Sequence, residues 1–134
     1  MLEPVSTEID AKAGVVVNTV SGKLTAAAIT ATIRAMIGNP EFQPGMGIVW
    51  DLRRGTLIEL TADEIRGTVH YAAGRIEARG RGRLAIVVSQ DVDYGIGRMF
   101  AAYAERTGIE RRVFRDLEEA IHWASRKVGR NEDP

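Results

Sequence analysis

Short strand-like segments alternate with helical patterns along most of this chain, and this alternation limits its fold more than any other feature. Residues 47–51 and 84–89 are apolar runs with almost no polar alternation, which is typical of strands buried on both faces. A third strand is expected at 110–114. Strands that alternate with helices pair in parallel through right-handed crossovers. The pattern therefore predicts an α/β protein built on a parallel sheet.

The first twenty residues predict an antiparallel hairpin. Residues 5–10 and 14–20 favour strands, residues 11–13 separate them, and Gly14 can take a positive φ angle. Adding this hairpin to the three later strands gives a mixed, five-stranded sheet flanked by about four helices. We expect a single domain over residues 1–128 and a flexible tail at 129–134.

The clearest predicted helix covers residues 61–79. It opens with a capping box, in which Thr61 and Glu64 bond to each other's backbone N–H groups. Gly67 and Gly74 weaken a helix, so we expect them to mark close packing against a neighbour. The inward stripe is formed by apolar residues at helical spacing: Ile65, Val69, Ala72, Ala73 and Ile76.

Three further helices are predicted, and they follow the second, fourth and fifth strands. The first runs from Leu24 and stops at residues 38–40. The next covers about 94–106, with Asp91 or Asp93 as its cap. Its inward residues are expected to be Ile96, Met99, Phe100 and Tyr103, while Gly95 and Gly97 let it approach the sheet. The last presents one apolar face, formed by Leu117, Ala120, Ile121, Ala124 and Val128.

Composition excludes several classes of function. The 18 basic and 18 acidic side chains cancel, so no overall field attracts nucleic acid or an anionic membrane. Cysteine is absent, which excludes thiol catalysis and thiolate metal sites. From the sequence we expect neither a signal peptide nor an apolar run long enough to span a membrane. We expect a cytoplasmic protein.

Three stretches of the chain carry a family resemblance: D51-L-R53, V88-S-Q-D-V-D-Y-G-I-G-R-M-F100 and V113-F-R-D-L-E-E-A-I-H-W123. With the element order, they resemble the SpoIIAA-like proteins, which share the STAS fold of anti-sigma-factor antagonists. The resemblance implies a small regulatory or ligand-binding fold, related in architecture to the lipid-handling CRAL-TRIO domains and generally not an enzyme.

The resemblance also implies a regulatory position at the start of the helix that follows the central strand. Anti-sigma-factor antagonists carry a phosphorylatable serine there, in an Asp-Ser-Ser-Gly type motif. The matching residues here are 60–64, where Thr61 provides the single hydroxyl group. A phosphate on Thr61 would meet the like charges of Asp63 and Glu64. We therefore interpret Thr61 as a cap and keep a phosphorylation switch as a weaker alternative.

Polar residues are expected to gather where the parallel strands end. In open α/β sheets, ligands bind beyond the carboxyl ends of the strands, near a reversal of strand order. One interpretation is an anion or head-group site with Arg53 and Arg98 as charge partners. The simpler one, which we favour, is a set of caps and salt bridges. The residues of this predicted rim are Asp51, Leu52, Arg53, Ser89, Gln90, Asp91, Tyr94, Arg98, Arg115 and Asp116.

Other motifs lack the partners that their chemistry needs. Residues 75–83 hold four arginines without aromatic side chains for base stacking, so we interpret them as a solvated turn and do not expect nucleic acid binding. His70 and His122 show no ligand spacing, so no metal is expected. The Gly95–Gly97 pair lacks the spacing of a nucleotide loop, and no cofactor is expected.

Two functional hypotheses follow. In the first, the chain is a regulatory module without catalysis that binds a protein partner or itself as a homodimer, and Trp123 could contribute to the dimer patch. In the second, it carries a small anionic or lipid ligand in apolar space between the helices, with Arg53 or Arg98 holding the polar head.

Overall fold

In the computed structural model, which describes residues 4–126, strands and helices follow each other as the sequence predicts. The strands are β1 (Val5–Asp10), β2 (Val15–Lys23), β3 (Gly47–Thr56), β4 (Leu84–Val88) and β5 (Arg111–Phe114). The helices are α1 (Ala26–Gly38), α2 (Ala62–Ala73), α3 (Ile76–Arg79), α4 (Asp91–Tyr103) and α5 (Leu117–Ala124). The predicted tail at 129–134 and Val128 lie outside the described residues.

The strands form the mixed, five-stranded sheet that the sequence predicts. Its spatial order is β1-β2-β3-β4-β5, with β1 antiparallel to β2 and every later pair parallel. The predicted hairpin is present, and Gly14 takes a φ of 74° at its turn. Because spatial order follows chain order, strand order does not reverse anywhere in residues 4–126. The reversal point expected near the predicted rim is therefore absent from this part of the chain.

Helices cover the two faces of the sheet unequally. α1, α2 and α4 lie side by side on one face, and α5 crosses β2 to β5 on the other. Each pair of neighbouring parallel strands from β2 to β5 is joined by a crossover of the same handedness. The helices in these crossovers therefore lie on the same side of the sheet, which explains the layer of α1, α2 and α4. Alternate residues of β3 divide between the faces: Ile48, Trp50 and Leu52 point to this helix layer, and Val49 points to α5.

The helix predicted over residues 61–79 is two helices in the structure. α2 ends at Ala73, and the N–H of Gly74 bonds to the carbonyl of His70 at 3.1 Å. The predicted close packing at Gly67 and Gly74 is wrong. A Cβ added at Gly67 would meet nothing within 4 Å, and one at Gly74 would meet only carbonyls of its own helix. Gly74 instead stands at the C-cap of α2 with helical φ and ψ angles, and the chain leaves the helical conformation at Arg75 before α3 begins.

α4 packs against the core through Gly97 as well as through Ile96 and Phe100, two of the four residues predicted to point inward. Gly97 is buried, and a Cβ added there would lie 3.1 Å from Val113 on β5. Met99 and Tyr103, predicted to point inward, are each 37% exposed. The role predicted for Gly97 is therefore supported, whereas Gly95 faces open space.

The segment that follows α3 is tightly packed, so the interpretation of residues 75–83 as a solvated turn is wrong. Gly80 has a φ of 78°, and a side chain at Gly80 or Gly82 would collide with the backbone of residues 44–46. The N–H of Gly45 bonds to the carbonyl of Arg79 at 2.9 Å. This contact fixes the end of α3 at the amino-terminal edge of β3 and β4.

The helices are modest in length. α1 and α4 have 13 residues each. Within residues 4–126, no helix combines the length and the apolar character needed to cross a lipid bilayer.

Candidate functional site

The predicted rim is centred on an ion pair between two residues of β3. Asp51 is 4% exposed and accepts hydrogen bonds from Nε of Arg53 at 2.9 Å, from Nη2 at 3.0 Å and from its backbone N–H at 3.1 Å. These bonds and the charge of the Asp51 carboxylate raise the pKa of Arg53. The Arg53 guanidinium is therefore already occupied by a neighbour on its own strand.

Two loop residues complete this side of the rim. The hydroxyl of Ser89 donates to the backbone carbonyl of Arg53 at 3.2 Å. Asp116 caps α5 by accepting the N–H of Glu119 at 2.9 Å, and its charge also helps to raise the pKa of Arg53. These contacts match the caps and salt bridges that we favoured from the sequence.

A second group of rim residues lies on the outside of α4. Arg115 donates to Asp91 at 2.6 Å and lies 5.0 Å from the centre of the Tyr94 ring. Arg98 lines the same open groove as Tyr94 and Arg115. The side chain of Asp91 is 96% exposed, and an ion pair in that setting contributes little to stability.

The start of α4 differs from its prediction. The helix begins at Asp91, and its cap position is occupied by Gln90, whose side chain makes no capping hydrogen bond. Neither Asp91 nor Asp93 is the cap. Asp93 is instead fully buried, and it accepts the Thr56 hydroxyl at 2.8 Å and the Leu57 N–H at 2.7 Å. Sequence analysis missed this role because the partner lies 36 residues away in the chain.

Thr61 is a helix cap, as predicted. Its hydroxyl accepts the N–H of Glu64 at 3.1 Å, and the Glu64 carboxylate accepts the N–H of Thr61 at 3.0 Å. Asp63 forms an ion pair with Arg66 one turn later. No hydrogen bond between Thr61 and the residues of the rim is found among residues 4–126.

An apolar cavity lies between the sheet and the layer of α1, α2 and α4. Its volume is about 70 Å³. Apolar side chains dominate the lining, and three polar residues join them: Thr68, Arg79 and Arg111. The apolar lining residues are Leu24, Ile29, Ile33, Met36, Ile48, Trp50, Leu52, Leu57, Val69, Ala72, Leu84, Ile86 and Phe100.

Arg79 is the more deeply buried of the two arginines in this cavity. It is 4% exposed, and its Nη1 donates to the carbonyls of Gly80 at 2.8 Å and Gly82 at 3.2 Å. Its Nη2 is buried without a hydrogen-bond partner. Burial, together with the nearby charge of Arg111, lowers the pKa of Arg79 to about 10.

Arg111 enters the cavity from the edge strand. It pairs with Leu84 in the β4–β5 register, and residues opposite each other in a sheet point to the same face. Its side chain therefore lies on the face covered by the helix layer, with Nη1 buried and unpartnered. Burial lowers the pKa of Arg111 to about 10. In the described part of the chain, no carboxylate lies within 4.0 Å of Arg79 or Arg111.

The two arginines lie at the opposite edge of the sheet from the predicted rim. Leu84 and Arg111 begin β4 and β5, so the pair is at the amino-terminal end of the parallel strands. Arg53 and Arg98, the predicted head-group partners, do not line the cavity. One signal could have located Arg79: it continues the stripe of Ile65, Val69, Ala72 and Ile76 at the same helical spacing.

No metal centre accompanies the cavity. Among residues 4–126, no group of three or more histidine, aspartate or glutamate side chains is arranged to hold an ion.

The arrangement of sheet and helices is a SpoIIAA-like fold, as the sequence resemblance implied. Among solved structures, it is similar to an uncharacterized protein of the DUF3478 family with a SpoIIAA-like fold, from Shewanella loihica PV-4. The two chains are 15% identical, the match covers 90% of this chain and 91% of the other, and the TM-score is 0.55. No protein-family model and no curated protein sequence matches the chain.

Proposed function

We propose that this protein binds a small, largely apolar molecule between its sheet and its helix layer, and that it acts by binding rather than by catalysis. The observation that carries the proposal is the apolar cavity beneath α1, α2 and α4. Protein interiors are normally packed with few voids larger than a water molecule. A space lined by 13 apolar side chains is therefore a candidate for occupation. The cytoplasmic location expected from the sequence is part of this proposal.

The size of the cavity indicates how a ligand would be accommodated. At about 70 Å³ it is smaller than the roughly 150 Å³ that admits a benzene molecule in an engineered cavity. A longer apolar chain therefore requires the helix layer to move outward. Burial of the ligand's apolar surface would offset the cost of opening.

Trp50 provides a direct measurement of binding. It lines the cavity and is 8% exposed, whereas Trp123 lies on the α5 face. The chain has two tryptophans, so a Trp123→Phe variant leaves Trp50 as the single tryptophan, whose emission can be excited selectively over that of tyrosine. Titration of this variant with octanol should change its emission in a saturable manner. No saturable change, together with no small molecule in native mass spectra of protein purified from its source, would contradict the proposal.

A matched pair of variants tests whether binding occurs in the cavity. Ala72 lines it, and its neighbour Ala73 does not. Ala72→Phe should fill part of the space and weaken octanol binding, while Ala73→Phe should leave binding close to that of the parent. Equal effects of the two substitutions would place the ligand elsewhere.

A second candidate is the protein-interaction role of a STAS-type module, in the form of self-association. It is supported by exposed apolar residues on the outer side of α4, namely Val92, Met99 and Tyr103, and by exposed Ile58 in the loop between β3 and α2. Val92, Met99 and Tyr103 recur at spacings of seven and four, so they form one row along the helix. A row of this kind can pair with its own copy about a twofold axis.

Light scattering tests this second candidate. The parent should have a dimer mass, and Met99→Lys should shift it to a monomer. Ala31→Lys, on the exposed side of α1, is the control and should remain dimeric. A monomeric parent protein would exclude self-association through α4.

A further inference from the structure

Within residues 4–126, the two positive charges in the apolar cavity have no anionic partner. Nη2 of Arg79 and Nη1 of Arg111 are both buried and unpartnered. Among the described residues, every arginine that forms an ion pair does so outside this cavity. We call Arg79 and Arg111 the arginine pair. They place free N–H donors beside the apolar side chains that line the cavity.

This arrangement is unfavourable unless something compensates for it. A buried ion without a partner loses its hydration, and two like charges in the same region repel each other. Burial lowers the pKa of both Arg79 and Arg111, and the charge of Arg111 lowers the pKa of Arg79 further. Both values remain well above neutral, so the pair is cationic under ordinary conditions. An anion between the two guanidinium groups would relieve both costs, because charge-assisted hydrogen bonds are strongest where water is excluded.

We propose that Arg79 and Arg111 bind the anionic head, a carboxylate or a phosphate, of an amphiphilic ligand whose apolar part occupies the cavity. The inference rests on the proposed function and specifies the class of ligand. Planar guanidinium groups match the geometry of carboxylate and phosphate oxygens. The apolar lining of the cavity disfavours small inorganic anions, because they have no apolar part to occupy it.

The position of Arg111 also indicates the side from which the anionic head of the ligand would reach the arginine pair. Arg111 lines both the inner cavity and the open groove on the outside of α4 and β5. That groove also contains Arg98, Arg112 and Arg115 against one carboxylate, Glu119, and this excess of positive charge makes it attractive to anions. Arg111 therefore lies at the boundary between a cationic outer groove and an apolar interior.

The experiment compares three ligands that share one apolar chain. Octanoate, octyl phosphate and octanol are titrated separately into the full-length Trp123→Phe protein, with Trp50 emission as the signal. One or both anions should bind about tenfold or more tightly than octanol, because only they engage the arginine pair. Whichever of the two anions binds more tightly identifies the preferred head group. Inorganic phosphate alone should not displace octanoate.

Each outcome of this comparison has a distinct meaning. If octanol binds as tightly as octanoate and octyl phosphate, the arginine pair is not a head-group site, while the proposed function stands. If none of the three binds, the proposed function and this inference both fail. These results need no substitution in the pair, so they do not depend on whether a variant of Arg79 or Arg111 folds.

Neighbouring arginines of β5 supply a matched control. Arg111 faces the cavity, whereas Arg112 faces the opposite side and lies 5.4 Å from the ring centre of Phe114. Arg111→Met should reduce the preference for octanoate over octanol by about tenfold, and Arg112→Met, which removes only a charge of the outer groove, should reduce it by about twofold at most. Equal preferences in the two variants would overturn the assignment of Arg111.

Discussion

The carboxylate of Asp93, in the first turn of α4, accepts the backbone N–H of Leu57 across 2.7 Å. The same oxygen accepts the Thr56 hydroxyl at 2.8 Å. One buried side chain therefore joins the end of β3 to the start of α4. A negative charge is favourable at this position because the amino end of a helix carries partial positive charge.

Replacing Asp93 should be among the more damaging changes outside the apolar core. Asp93→Ala leaves the Leu57 N–H without its partner inside the protein, so we expect the free energy of unfolding to fall by about 2–4 kcal/mol. Asp91→Ala is the control, since that exposed carboxylate bonds only to Arg115, and it should cost less than about 1 kcal/mol. Urea denaturation of both variants measures the difference, and similar losses would contradict it.

Thr61 should contribute to stability through its hydroxyl oxygen. Thr61→Ala removes the acceptor for the Glu64 N–H and should lower the free energy of unfolding by about 0.5–2 kcal/mol. Thr61→Ser keeps that oxygen and should remain close to the parent. Thermal unfolding of the two variants distinguishes the cap from a residue that acts only when modified. An unchanged melting temperature in Thr61→Ala would exclude the cap.

Arg111→Met should stabilise the protein without ligand at neutral pH. The substitution removes an unpaired, buried charge and keeps an apolar chain, so we expect a gain of about 1–3 kcal/mol. The pKa of Arg111 is lowered on folding to about 10, so below that pH the arginine is charged in both the folded and unfolded states and its penalty is fully present. As pH rises above about 10, the folded state releases the proton first and the penalty declines.

The gain from Arg111→Met should therefore shrink as pH rises through that range. Denaturation of the parent and the variant at neutral pH and at about pH 10.5 measures the change. Arg112→Met, whose side chain lies on the other face, should show no comparable gain. A gain that grows with pH would contradict the assigned cause.

Two glycine substitutions should have opposite effects. A side chain at Gly82 would collide with the backbone oxygens of Gly45 and Met46, so Gly82→Ala should destabilise the protein by about 1–3 kcal/mol. Gly95 lies within α4 and faces open space. Gly95→Ala should therefore stabilise the protein by about 0.5–1 kcal/mol. Melting temperatures that move in the same direction for both variants would refute the packing described for residues 80–82.

Local signals in the sequence predict much of this fold. The Gly14 turn, the Thr61 capping box and the uninterrupted apolar segments each depend on residues a few positions apart, and each is present in the structure. Their order then determines the parallel pairing through general rules of connection. The resemblance carried by D51-L-R53 and the two later stretches correctly indicated the SpoIIAA-like fold.

Predictions failed where a residue's environment depends on distant parts of the chain. On α4, the residues that face the sheet include Asp93 and Gly97, while the large side chains Met99 and Tyr103 are partly exposed. The apolar pattern correctly placed Ile96 and Phe100 against the core, but it could not reveal that a glycine and a buried aspartate share that side of the helix. The cavity residues Arg79 and Arg111 were missed since arginine is usually exposed.

The order of the strands has a consequence for how this protein emerges during synthesis. Each new strand from β2 to β5 can add to the edge formed by the strand just before it, so the sheet can grow in the direction of translation. The face of the sheet opposite the layer of α1, α2 and α4 is covered later. The apolar groups of Val15, Val49 and Val87 are covered by α5, the last described helix. A nascent chain that has not yet released residues 117–124 thus exposes one side of an otherwise assembled sheet, and it is the state most open to aggregation or to a chaperone.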